Sequence, residues 1–186
     1  MLRMQMNPRG PRASWGAVVI LLALSAKGIA AQDCPHREYA WTNTVGGVYF
    51  EDAQGRVIVD GMGRVFIGGE FADKVDFDPR EGEDNRRSRG ESDAYCTQYD
   101  TNGQYMGTLA LGSSGFDAVN RVALLRQGHV AIAGYFSGKM DFDPSRESRQ
   151  MRKPSGGSDA FVSVYDNLFN HLWTWTSAMD VRENLY

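Results

Sequence analysis

The residues best suited to chemistry are acidic, and the chain writes them twice. KVDFDP at 74–79 returns as KMDFDP at 139–144. In an extended segment alternate side chains face opposite sides. Asp76 and Asp78 would then share one side and Phe77 take the other, with Asp141, Asp143 and Phe142 repeating the arrangement. Two carboxylates on one side suit a hard cation such as calcium, which takes about six to eight oxygen ligands. Asp93 and Asp159 would offer a third carboxylate. The D-x-D-x-D-G spacing of calcium loops is absent. The same string also reads as construction, and this reading is the stronger. Phe77 would plug a gap between layers, while Pro79 holds Asp78 extended with its carboxylate free to cap nearby N–H groups.

Other candidates carry less. Trp173 and Trp175 share one face of an expected strand, as a carbohydrate platform would need, but packing between blades, or an exposed edge awaiting its neighbor, is the stronger reading. His36, His129 and His171 have no metal-ligand spacing, and no catalytic constellation accompanies them. Gly112-Ser113-Ser114-Gly115 is not a nucleophile elbow. No cofactor is expected beyond the calcium alternative, and the sequence reads as non-enzymatic.

Elements that position these residues recur with a period. Over 61–79 and 126–144, ten of nineteen positions are identical. SDAYCTQYD at 92–100 then matches SDAFVSVYD at 158–166, offset by 66. A repeat of this length marks duplicated structural units. Each unit reads as four strands. In the first they are 56–59, 64–71, 93–99 and 104–111. Asp60 to Gly63 and Asp100 to Gly103 form tight turns, the second carrying Asn-Gly. A charged stretch from 79 to about 91 lacks periodicity and reads as a loop, and the basic run Arg86-Arg87-Ser88-Arg89 within it reads as solvated surface. The second unit repeats the order from 121 to about 176. Tyr39 to Val45 reads as a fourth strand completing a preceding unit.

Four antiparallel strands per repeat describe a β-propeller blade. The expected fold is all-β, with about two four-stranded antiparallel blades of an incomplete ring; a small β-sandwich is the alternative. The expected division is 1–31 signal peptide, 32–55 N-terminal segment, 56–120 first blade, 121–180 second blade and 181–186 the start of a third. The leader rests on Arg3, Arg9 and Arg12, an apolar run from Ala17 to Ala26, and small residues up to Ala31. Its removal takes four of the 20 basic residues and none of the 23 acidic ones, leaving a formal net charge of −7. That balance argues against nucleic-acid binding, and no membrane span is expected after cleavage. Cys34 and Cys96 would then lie outside the cytoplasm, paired or unpaired.

The pattern G-x-V-x-I-x-G-x-F-x-x-x-x-DFDP, followed by a polar loop and SDAF-x-x-x-YD, resembles the SBBP-type β-propeller repeats of secreted bacterial proteins. The resemblance covers about 39–186. It implies export to the cell surface or beyond, a repeat scaffold and a binding surface, and it implies no reaction. Partners expected on this basis are further blades or a second copy, with a protein or glycan ligand. The alternative is a calcium- or carbohydrate-binding module.

Overall fold

The structure is a computed structural model that describes residues 41–47, 51–52, 57–78, 80, 82–145 and 148–177. The leader, Cys34, His36, Tyr39 and the start of a third repeat lie outside these residues. The chain is all-β. Among the described residues there is no α-helix, and one short 3₁₀ turn spans Arg126–Gly128.

Two antiparallel sheets dominate. In chain order the strands are β1 (Gly46–Gly47), β2 (Glu51–Asp52), β3 (Ile58–Val59), β4 (Val65–Phe71), β5 (Lys74–Asp76), β6 (Asn85–Arg87), β7 (Asp93–Tyr99), β8 (Tyr105–Leu111), β9 (Ala118–Leu124), β10 (Val130–Phe136), β11 (Met140–Asp141), β12 (Met151–Arg152), β13 (Asp159–Tyr165) and β14 (His171–Thr176). The second sheet runs β9-β10-β13-β14. The first runs β4-β7-β8, with β2 and β3 both paired to β4 on its free side. Tight turns join successive strands, and three of them use one aspartate each. Asp60, Asp100 and Asp166 each accept two backbone N–H groups through Oδ1, two and four residues on, at 2.8–2.9 Å.

Four expectations need correcting. Trp41 to Val45 is not a strand; only Gly46–Gly47 pairs, and its partner is β5. Side chains dock the preceding residues instead of a ladder. The charged stretch after Pro79 is not all loop. It contains β6, which pairs with β5 to make a ribbon. Its Asn85, Arg86 and Arg87 are all exposed, so no alternation betrays the strand. Arg86 pairs with Asp84 (2.6 Å) and Arg87 with Asp73. In the second unit β11 and β12 form the equivalent ribbon. The first strand of that unit begins at Ala118 rather than 121, and a bulge opposite Ala133 and Gly134 accommodates the extra residue. The described part of the matching strand in the first unit is only Ile58–Val59.

The sheets stack head to tail. Odd residues of β4 (Val65, Ile67, Phe71) join Tyr95 and Tyr99 in one core with Trp41, Val45, Val75 and Phe77. Their counterparts in the second sheet, Val130, Ile132, Phe136, Phe161 and Tyr165, likewise face the preceding layer. They bury against the opposite side of the first sheet, among Phe66, Ala94, Cys96, Leu109 and Leu111. Each unit thus has a front, carrying the aromatic set, and a back. The front of the second unit packs on the back of the first. Gly68 makes this approach close: a Cβ there would stand 2.6 Å from Val119 Cγ1 and 2.7 Å from Val122 Cγ2. Among the described residues no closed ring forms.

Candidate interaction face

The two acidic strings serve the fold in the same way. Asp76 Oδ1 accepts the N–H groups of Asp78 (3.0 Å) and Asp84 (2.9 Å). Asp141 Oδ1 accepts those of Asp143 (3.1 Å) and Gln150 (2.8 Å). One carboxylate therefore brackets both ends of the ribbon's connection and satisfies groups that no ladder serves. Asp143 accepts the Ser145 N–H (3.1 Å) and the Ser148 hydroxyl, and the latter bond holds its carboxyl below the usual range. Phe77 and Phe142 are fully buried. Phe77 stands edge-on to Phe71 at 5.2 Å, and Phe142 to Phe136 at 5.4 Å. Tyr99 donates to the Phe77 carbonyl and Tyr165 to that of Phe142.

Asp93 and Asp159, the further candidate ligands, bracket the next turn. Asp93 Oδ1 accepts the Arg89 N–H (2.8 Å), and Asp159 Oδ2 that of Ser155 (2.8 Å). Burial, with a contribution from nearby Asp117, pushes the Asp93 carboxyl up to about 6. Among the described residues no group of three or more His, Cys, Asp or Glu side chains is placed to hold a metal ion. His171 bonds Thr174 at 2.8 Å and stacks edge-on to Tyr165. Cys96 is a free, fully buried thiol whose pKa burial pushes up. A polar cleft of about 630 Å³ lies between the units, lined by Arg89, Lys139, Arg149 and Ser113 among others.

The exposed apolar surface lies elsewhere. Trp173 pairs with Val164 and Trp175 with Val162. Both tryptophans therefore occupy the back of the second sheet, as their spacing predicts, and they are 49% and 56% exposed. The center of this face is small: Ala131, Ala133, Ala160 and Val162 sit at the positions of Phe66, Gly68, Ala94 and Cys96 in the first unit. Those four are buried beneath the second sheet. The position of Trp175 is that of Leu109, which is 3% exposed.

Sequence reasoning missed one correspondence that bears on this face. Trp41-Thr42-Asn43-Thr44 recurs as Trp173-Thr174-Trp175-Thr176, two periods later. Trp41 lies on the front of the first sheet, against Tyr99, and its Nε1 donates to the Thr101 carbonyl at 3.0 Å. Asn43 donates to the Gly103 carbonyl at 2.8 Å. A search for W-T-x-T at multiples of the period would have found it. Neither a known family model nor a curated protein sequence matches the chain.

Proposed function

We propose that this chain is an exported, non-catalytic scaffold of β-propeller type, whose role is to present and join interaction surfaces outside the cytoplasm. The observation that carries this reading is where the chemistry-bearing side chains are spent. Asp76, Asp141, Asp93 and Asp159 all close turns or ribbons, at equivalent positions in both units. Among the large apolar side chains left facing solvent, Trp173 and Trp175 lie side by side on one sheet face. A surface that exposes neighboring aromatic residues is suited to binding. Similarity to secreted SBBP-type repeats points the same way, as does the leader-like start of the sequence. The test is fractionation of the producing cells followed by mass spectrometry of the recovered product. Recovery outside the cytoplasm, starting near Gln32, is the expected result. Intact protein confined to the cytoplasm would overturn the reading.

A further inference from the structure

We infer that the Trp173–Trp175 face is a docking surface for a second copy of this chain, received on the front of that copy's first sheet. The inference rests on the scaffold reading in taking the face as an interaction surface, but it is carried by a contact the fold already makes.

That contact is the seat of Trp41. Its indole rests on the Asp100–Gly103 turn, bonded to the Thr101 carbonyl. Gly103 has φ 77° and no room for a side chain, because a Cβ would stand 2.5 Å from Trp41 Cδ2. The equivalent turn in the second unit shows what such a seat is for. There the carbonyl matching Thr101 belongs to Asn167. It accepts the Gln98 side-chain amide from the back of the first sheet, in the amide orientation that also satisfies Arg64. The turn carbonyl is thus an acceptor for the preceding layer in both units. The sizes also complement each other. Trp41 meets glycine at 103. At the junction between the units the tryptophan position is Gly107, and the turn presents Phe169, with φ 63°, packed against the shared core. Gly107 and Phe169 line one cleft.

Trp173 is the next residue in this series, and it is exposed. It calls for a turn with glycine at the seat, and among the described residues that turn is 100–103. The front of the first sheet is buried along β4 and β7 beneath Trp41 and Val45, and is open along the edge at β3. Val57 and Val59 are 46% and 54% exposed. Val57 matches Val122, which is buried between the units. Trp41 to Val45 forms no strand, and among the described residues its bonds to the sheet come from the side chains of Trp41 and Asn43, so the regular strand β14 of another copy could displace it. Its matching W-T-x-T would take the same seat.

The test is the molar mass of the full purified chain across a wide concentration range, by sedimentation velocity. The wild type is expected to associate reversibly. Trp173→Ala should weaken association about 30-fold or more, as loss of an interface anchor does. Trp41→Ala, which vacates the seat, should strengthen it; Asn43→Ala, which removes only one hydrogen bond of the covering segment, should do so more mildly and serves if Trp41→Ala fails to fold. A wild type that stays monomeric throughout would overturn the inference. So would association that survives Trp173→Ala and yields instead to Thr174→Pro, the mark of pairing along the β14 edge. Retention of the monomer on a glycan array through Trp173 would likewise assign the face to sugar and overturn it. Each of these outcomes leaves the export test untouched.

Discussion

Asp76 and Asp141 each hold a connection shut with a single oxygen, and their cost when removed should be structural. Asp141→Ala leaves two N–H groups without their acceptor, and a loss of about 1–3 kcal/mol is expected in urea unfolding. Asp141→Asn, which keeps an acceptor oxygen, should lose less, and calcium or a chelator should not change the ranking. Asp93 makes a different prediction. Its folded-state carboxyl is raised to about 6 from 3.8, chiefly by burial. The folded state therefore holds its proton more tightly than the unfolded state does. The resulting stability is fully present below about pH 4 and is lost as pH rises through about 6. Asp93→Asn should remove this dependence, so the stability difference between variant and wild type should shift in the variant's favor across that window and level off above it. Thermal unfolding at several pH values checks this. The capping role was legible in the sequence, but it was placed on Asp78, whereas in the fold Asp76 Oδ1 accepts the two N–H groups. Periodicity places Asp76 and Asp78 on a strand; only the folded ribbon reveals which N–H groups lack partners.

At the scale of the element, Gly68 sets how near the two sheets come. Gly68→Ala would press a methyl group into Val119 and Val122, and overpacking of this kind costs about 1–3 kcal/mol. Ala133 holds the same place on the open back of the second sheet, and Ala133→Gly should cost less, about 0.5–1 kcal/mol from strand entropy alone. Paired urea titrations measure both. The long strands were readable because Val65, Ile67 and Phe71 alternate and because Asp-x-x-Gly turns bound them. β6 was not readable, since Asn85-Arg86-Arg87 is polar on both sides; Asp76 draws Asp84 back at one end of the ribbon and Asp73 holds Arg87 at the other. Trp41 to Val45 misled in the other direction. It has the composition of a strand, but its side chains, rather than a ladder, fix it in place.

For the whole molecule, the shared core predicts cooperative behavior. Phe66, Cys96 and Leu109 from one sheet and Val119, Phe161 and Tyr165 from the other form a single cluster. The units should therefore unfold in one transition, and the Cys96 thiol, buried at the center of that cluster, should react only as the sheets part. In a Cys34→Ser variant, thiol labelling and the loss of tryptophan fluorescence should follow the same denaturant curve; labelling that runs ahead of it would mean the sheets separate first. The repeat, and with it the all-β stack, was plain from two copies of DFDP. What the repeat concealed is that its copies are unequal at one turn, where glycine at 103 corresponds to phenylalanine at 169. That inequality works as a rule of parity. A tryptophan-bearing back fits a glycine-bearing front, a glycine-bearing back fits a phenylalanine-bearing front, and the crossed combinations have either a collision or a hole. On the docking proposed above, glycine and phenylalanine seats would alternate from one layer to the next, so that each layer would select the kind of layer that follows it.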